Sequence, residues 1–214
     1  MSGVSGSGKT DDYSLGMYGG KQWAGTSLRL GANYTWHKLD TNRNVAFSGF
    51  SDRLSAQYDG QTAQLFAEVG HRFDTARNTV IEPFASLAYV NLNTDGFKEL
   101  GGEAAMTGSD TSMNTVFSTL GSGFSIPLSE QVSVRSLVGW RHALGGVMPE
   151  STNTLQGSAP FTVHGVPLAR DTAVIEAGVE AVLGHNMRLA ASYSGQFASK
   201  LNDNGAKLTL EYRF

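Results

Sequence analysis

Lys207-Leu208-Thr209-Leu210-Glu211-Tyr212-Arg213-Phe214 closes the chain. Leu208, Leu210, Tyr212 and Phe214 alternate with Lys207, Thr209, Glu211 and Arg213, a period of two that sends the two sets to opposite faces of a β-strand. An open soluble edge strand ending on exposed aromatics would invite edge-to-edge aggregation. The pattern suits a strand with one face toward lipid and its edge paired, as in a transmembrane barrel.

The same period recurs upstream. Tyr13, Leu15 and Met17 alternate with Ser14, Gly16 and Tyr18. Leu28 to Trp36 and Ala63 to Val69 follow suit, the second interrupted by Phe66, and Ile81 to Tyr89 comes next. Val116 to Leu128 is less regular, whereas Val132 to Trp140, Ala173 to Leu183 and Met187 to Tyr193 are clear. With the terminal octapeptide these make nine strands. Short polar turns at Trp23-Ala24-Gly25, 74–79, 129–131 and 184–186 alternate with long Gly/Ser-rich connections at 40–60, 94–114, 143–170 and 198–204. Outer-membrane barrels have short periplasmic turns and long external loops, so an antiparallel up-and-down all-β barrel is expected.

Composition agrees. Eleven Phe, seven Tyr and 26 Gly against five Pro favour strands and turns. No apolar run reaches the length of a membrane helix. A net charge of −3 advertises no nucleic-acid partner, and the absence of Cys removes disulfides and thiolate metal sites.

Gly3-Val4-Ser5-Gly6-Ser7-Gly8-Lys9-Thr10 matches the phosphate-binding loop pattern. That loop works between a buried strand and a helix N-terminus, and Asp11-Asp12-Tyr13 continues here with carboxylates and strand-like alternation instead. Residues 1–12 are therefore expected to be a flexible Gly/Ser leader, and residues 13–214 the barrel domain. The start has no basic, apolar or cleavage region of a signal peptide, so the chain is expected to be the tail of a longer precursor.

With short turns on the periplasmic side, Trp36, Tyr89 and Trp140 are expected at the outer interface, with Trp23, Phe73 and Phe214 at the inner one, forming two aromatic girdles. On the opposite face Arg29, Glu68, Arg72, Glu82, Arg135, Arg141, Glu176, Glu180, Arg188, Glu211 and Arg213 are expected to line a water-filled lumen and pair across strands. No nucleophile elbow occurs, and His37, His71, His142, His164 and His185 have no zinc spacing, so no catalytic, cofactor or metal residue is assigned.

Tyr13-Ser14-Leu15-Gly16-Met17-Tyr18-Gly19-Gly20, Leu28 to His37, Glu82 to Val90, Gly139-Trp140-Arg141-His142 and Tyr212-Arg213-Phe214 together resemble the C-terminal translocator domain of type V autotransporters. Phe47-Ser48-Gly49-Phe50-Ser51-Asp52 and Asp59 to Gln64 are most similar to those with subtilisin-like serine protease passengers. The resemblance implies a domain in the outer membrane of a Gram-negative bacterium that supports secretion of its own N-terminal passenger, any protease activity belonging to that passenger. It also implies twelve strands, of which nine are found here, and contact with lipopolysaccharide, periplasmic chaperones and the outer-membrane assembly machinery. Lys207, Leu208, Leu210, Tyr212 and Phe214 match the family's terminal assembly signal, with Thr209 where Gly is usual. The alternatives are a free-standing porin or adhesin-like barrel and a soluble β-rich binding module.

Overall fold

In the computed structural model, residues 3–75, 78–184, 186–199 and 201–212 are described. Nine long strands form one antiparallel meander, each pairing with its neighbour along the chain: β1 (Gly3–Trp23), β2 (Thr26–Phe47), β3 (Phe50–His71), β5 (Val80–Thr94), β8 (Thr111–Pro127), β9 (Val132–Gly145), β12 (Asp171–Val182), β13 (Met187–Ala198) and β14 (Leu201–Tyr212). The two-residue β4 (Phe73–Asp74) adds to β5. β6 (Phe97–Lys98), β7 (Met106–Gly108), β10 (Glu150–Leu155) and β11 (Phe161–His164) make a second sheet in the order β11-β10-β7-β6. The nine expected strands are the nine of the main sheet.

All eight ladders of the meander keep one register from end to end, without a bulge. Tyr34, for example, lies opposite both Leu15 and Ala63, and Leu189 opposite both Ala181 and Leu210. Directly opposed residues share a face, so the alternating apolar sets that run from Leu28 to Trp36 and from Ala173 to Ala181 fall on one side of the sheet. Leu15, Leu30, Leu65, Leu87, Leu120, Ile175 and Leu208 all face outward and are all exposed. In water so large an apolar surface would drive association; in a bilayer it is the stable face.

Trp36, Tyr89 and Trp140 lie on this outward face, 46%, 41% and 49% exposed. The hydrogen-bonded row through Trp140 runs by way of Leu120, Ala85 and Val69 to Leu28, eight residues from Trp36 on the same strand. The three aromatics can stand at one height only if the strands are tilted, the slant that barrel curvature demands. Trp23 and Phe73 are exposed at the opposite ends of their strands.

Two expectations are corrected. Residues 3–12 are strand, not a flexible leader: Gly3 to Asp12 pair one for one with Ala46 to His37. Small residues reach the extended conformation without hindrance, and a partner backbone removes the reason for disorder. The long connections, expected as external loops, carry strands of their own. Residues 40–60 form a hairpin closed by Phe47 opposite Phe50, whose rings stack at 4.7 Å. Residues 94–114 and 143–170 supply the second sheet, and β13 and β14 stay paired to Ala198 and Leu201.

Beyond His37 the apolar residues of β2 change sides, to Leu39, Val45 and Phe47, while the register runs on unchanged. β3 does the same, with Leu54, Ala56 and Tyr58 on the concave face and Ala63 to Val69 on the outward one. The second sheet covers this upper concave face. Ser55 and Leu100 exchange backbone hydrogen bonds of 2.9 Å, and Leu54 and Ala56 are buried beneath it. Above the membrane both faces of the hairpin meet water, so the apolar side turns toward whatever the chain can pack on it.

Candidate translocation surface

The inward face of the sheet is concave. A cavity of about 890 Å³ touches side chains from seven of the nine strands, among them Arg29, Glu68, Glu82, Ser125, Arg135, Glu180 and Ser192. Of the residues expected to line a lumen, Arg72 and Glu176 also border it, while Arg141 and Arg188 are inward by register but away from this cavity. Arg72 lies in the turn after β3 and pairs with Asp74 at 2.9 Å, so its place comes from the turn and not from strand alternation. Glu211 follows the inward parity of β14, and Phe214 and Arg213 lie outside the described residues.

Cross-strand register brings the charges together. Arg29 stands opposite Glu68, and its Nη1 donates to Glu68 Oε1 at 2.5 Å while Nη2 donates to Glu82 Oε1 at 2.7 Å. The Ser27 hydroxyl donates to the same Glu82 oxygen at 2.7 Å. On the far wall Glu180 pairs with Arg135 at 3.5 Å and Arg188 at 3.4 Å. Arg141 donates to Gln196 at 3.1 Å and lies over the Phe117 ring at 5.9 Å. A wall of paired charges is wettable yet has no single strong field.

Nearer the outer end, hydrogen bonds link His37 Nδ1 to Asp12 and Nε2 to Thr62, both at 2.7 Å. On the outward face at that end, Asp171 Oδ1 accepts from Trp140 Nε1 at 3.0 Å and lies 2.8 Å from His142 Nδ1. Tyr89 donates its hydroxyl to Asn114 at 2.6 Å. Each ring thus has an apolar body on the lipid side and a satisfied polar tip, the habit of an interfacial aromatic.

The second sheet and the residues flanking its strands form a cap over the upper concave face, and this cap holds a pair that strand alternation did not reveal. Arg43 donates through Nε to Glu99 Oε1 at 3.0 Å and through Nη2 to Glu99 Oε2 at 2.5 Å. Glu99 is 6% exposed and also accepts from the Met106 amide. Burial alone would push its carboxyl up, but the hydrogen bonds from Arg43 and Met106 and the charge of Arg43 outweigh this and hold it below the usual glutamate range. The continued alternation of β2 past Trp36 was the only signal for Arg43, and it had been obscured by the change of apolar side.

A membrane-spanning sheet with a charged concavity leaves the family open, and comparison with known proteins decides it. The family description "Autotransporter beta-domain" matches residues 1–194. This chain belongs to the autotransporter β-domain family. It is an outer-membrane translocator β-barrel domain of the kind found in Gram-negative bacteria. Two Serratia marcescens proteins, each called "Extracellular serine protease", are 36% and 35% identical to it over 209 and 210 residues. Each alignment takes in 96% of the chain, and the chain spans 20% of each relative's length. Among solved structures, the translocator domain of the autotransporter NalP from Neisseria meningitidis superposes with a TM-score of 0.71 at 20% identity, covering 98% of this chain and 68% of that one. That likeness is one of fold.

Proposed function

We propose that the concave face bearing Arg29, Glu68, Glu82, Arg135 and Glu180 is the wall along which a passenger crosses the outer membrane, and that the passenger is a serine protease. The observation that carries the first part is the unbroken register, which sorts lipid-facing from water-facing side chains across every strand of the meander. The second part leans on the two relatives named as extracellular serine proteases, whose remaining four-fifths lies outside the matched part. Proteolysis belongs, on this reading, to that remainder.

Lys207, Leu208, Leu210, Tyr212 and Phe214 serve in the same reading as the terminal strand handed to the outer-membrane assembly machinery, after escort by periplasmic chaperones. Backbone pairing to an open edge supplies affinity and alternate side chains set register. Trp23, Trp36, Phe73, Tyr89 and Trp140 anchor the sheet between the headgroup layers, the outer layer being lipopolysaccharide.

The test is passenger exposure in intact cells making a full autotransporter that carries this domain. External protease should reach the passenger while the domain migrates as a heat-modifiable, membrane-inserted barrel. A correctly inserted barrel whose passenger stays inside the cell would refute the assignment.

A further inference from the structure

The slant of the outer aromatic row continues past Trp140. The hydrogen-bonded row through Trp140 passes Leu120 to Ala85 on one side, and Tyr89 stands four residues farther out along that strand. On the other side the row passes Ala173 to Phe197, and Tyr193 stands four residues back along β13. Equal and opposite offsets, each reached over two strands, put Tyr193 on the same tilted line as Trp36, Tyr89 and Trp140. It faces outward and is 39% exposed, against 41% for Tyr89. The two tyrosines carry the same constellation on their outer side. Tyr89 donates its hydroxyl to Asn114 Oδ1, where Asn91 Nδ2 also donates at 2.8 Å, and Asn93 Nδ2 donates to Asn91 Oδ1 at 2.6 Å. Tyr193 donates to Asn204 Oδ1, and Asn204 Nδ2 donates to Asn202 Oδ1 at 2.6 Å. All five asparagines lie on the lipid-facing parity of their strands.

Both clusters are uncharged, and the outward cations at this end do not favour an anion. Lys9 pairs with Asp11 at 2.7 Å, Lys38 stands opposite both Asp11 and Asp59, and His142 lies against Asp171. Asn114 Nδ2 and Asn202 Nδ2 take no part in the bonds within the clusters. Just outside the aromatic row these donors face headgroups rather than acyl chains, and they need acceptors there. Sugar hydroxyls accept and donate as amides do, and the apolar face of a sugar ring packs on an aromatic one. On the reading that the outer layer is lipopolysaccharide, we propose that the Tyr89–Asn114 and Tyr193–Asn204 clusters are two subsites for the sugar headgroup of that glycolipid. They grip its hydroxyl and amide groups and not its phosphates.

The test uses a full autotransporter carrying this domain, reconstituted in phosphatidylcholine vesicles and then extracted into mild detergent. The vesicles hold a tracer of lipid A, of lipid A stripped of its phosphates, or of phosphatidylglycerol. Lipid A should stay bound to the barrel with and without its phosphates, and phosphatidylglycerol should wash away. Asn114→Ala combined with Asn204→Ala should lower the retained glycolipid several-fold while the amount of heat-modifiable barrel is unchanged. Tyr89→Phe combined with Tyr193→Phe, which keeps the rings, serves the same end if the asparagine variant assembles poorly. Retention that needs the phosphates would overturn the subsites and leave the lipopolysaccharide-facing outer layer in place. So would retention that both variants leave unaltered. Loss of all three lipids alike would overturn the subsites and the outer-layer reading together.

Discussion

Arg43 of β2 and Glu99, the residue after β6, meet in a two-pronged hydrogen bond, with the carboxylate buried at 6% exposure. This pair ties the cap to the hairpin that rises from the membrane sheet. Removing one partner leaves the other charged and without its counterion, at a cost on the order of 3 kcal/mol. Arg43→Ala should therefore raise amide exchange in residues 97–108, measured in detergent or lipid, and leave exchange in β12 and β13 unaltered.

The same pair makes the cap acid-sensitive. Because Glu99 is held below its ordinary value near 4.5 in the folded cap, its contribution is complete above that value and is lost as pH falls through the lowered one. Protection of the amides in residues 97–108, relative to their intrinsic exchange, should fall once the pH drops below 4.5 and through the lowered value, and Glu99→Gln should be slack already at neutral pH and respond little to further acidification.

Gly31→Ala places a methyl group where the Phe66 ring lies. Forcing the ring aside should lower stability by about 1–3 kcal/mol, read from the urea midpoint of the lipid-refolded protein. Phe66→Leu in the same molecule should recover part of the loss, and strict additivity of the two changes would mean that ring and glycine are not coupled.

Leu65 is 56% exposed, yet it faces lipid. Leu65→Arg should cost about 2–4 kcal/mol in a bilayer, while Gln64→Arg, one residue along and on the opposite face, should be tolerated. Equal effects of the two would contradict the assignment of faces. Vesicle refolding yields and urea midpoints give the comparison directly.

Deleting Phe214 should reduce the amount of barrel assembled in the outer membrane of living cells, with less effect on refolding of purified protein into lipid. Undiminished assembly would count against a role for the terminal strand as a signal.

Within the membrane the sequence was legible because a single rule governs it: lipid on one side and water on the other impose a strict period of two. The strands follow it with few departures, Tyr18 and Phe66 among them, and parity alone puts Arg29, Glu68 and Glu82 on one face. Above the membrane the rule changes sign. Leu39, Val45 and Phe47 alternate as faithfully as Leu28 to Trp36, but on the other parity, so the run reads as the end of one strand and the start of a loop. The cause is a change of solvent at constant backbone geometry, something a periodicity alone does not separate from a break in the strand. Gly3 to Thr10 does not read as a strand for a related reason, since glycine and serine carry no apolar signal and the pairing that orders them is supplied by β2. Arg43 and Glu99, far apart in the chain, needed the cap to bring them together. Phe66 looked like an interruption of pattern and is instead an inward ring seated on a glycine.

Every ladder of the main sheet joins strands that follow one another along the chain. The loop-closure entropy of each pairing step is therefore small, and the sheet can be built by adding one hairpin at a time to a growing edge. Such growth never requires two distant segments to search for each other while exposed to lipid. A chain built this way can enter a membrane in instalments, each presenting one new edge for the next strand to cover.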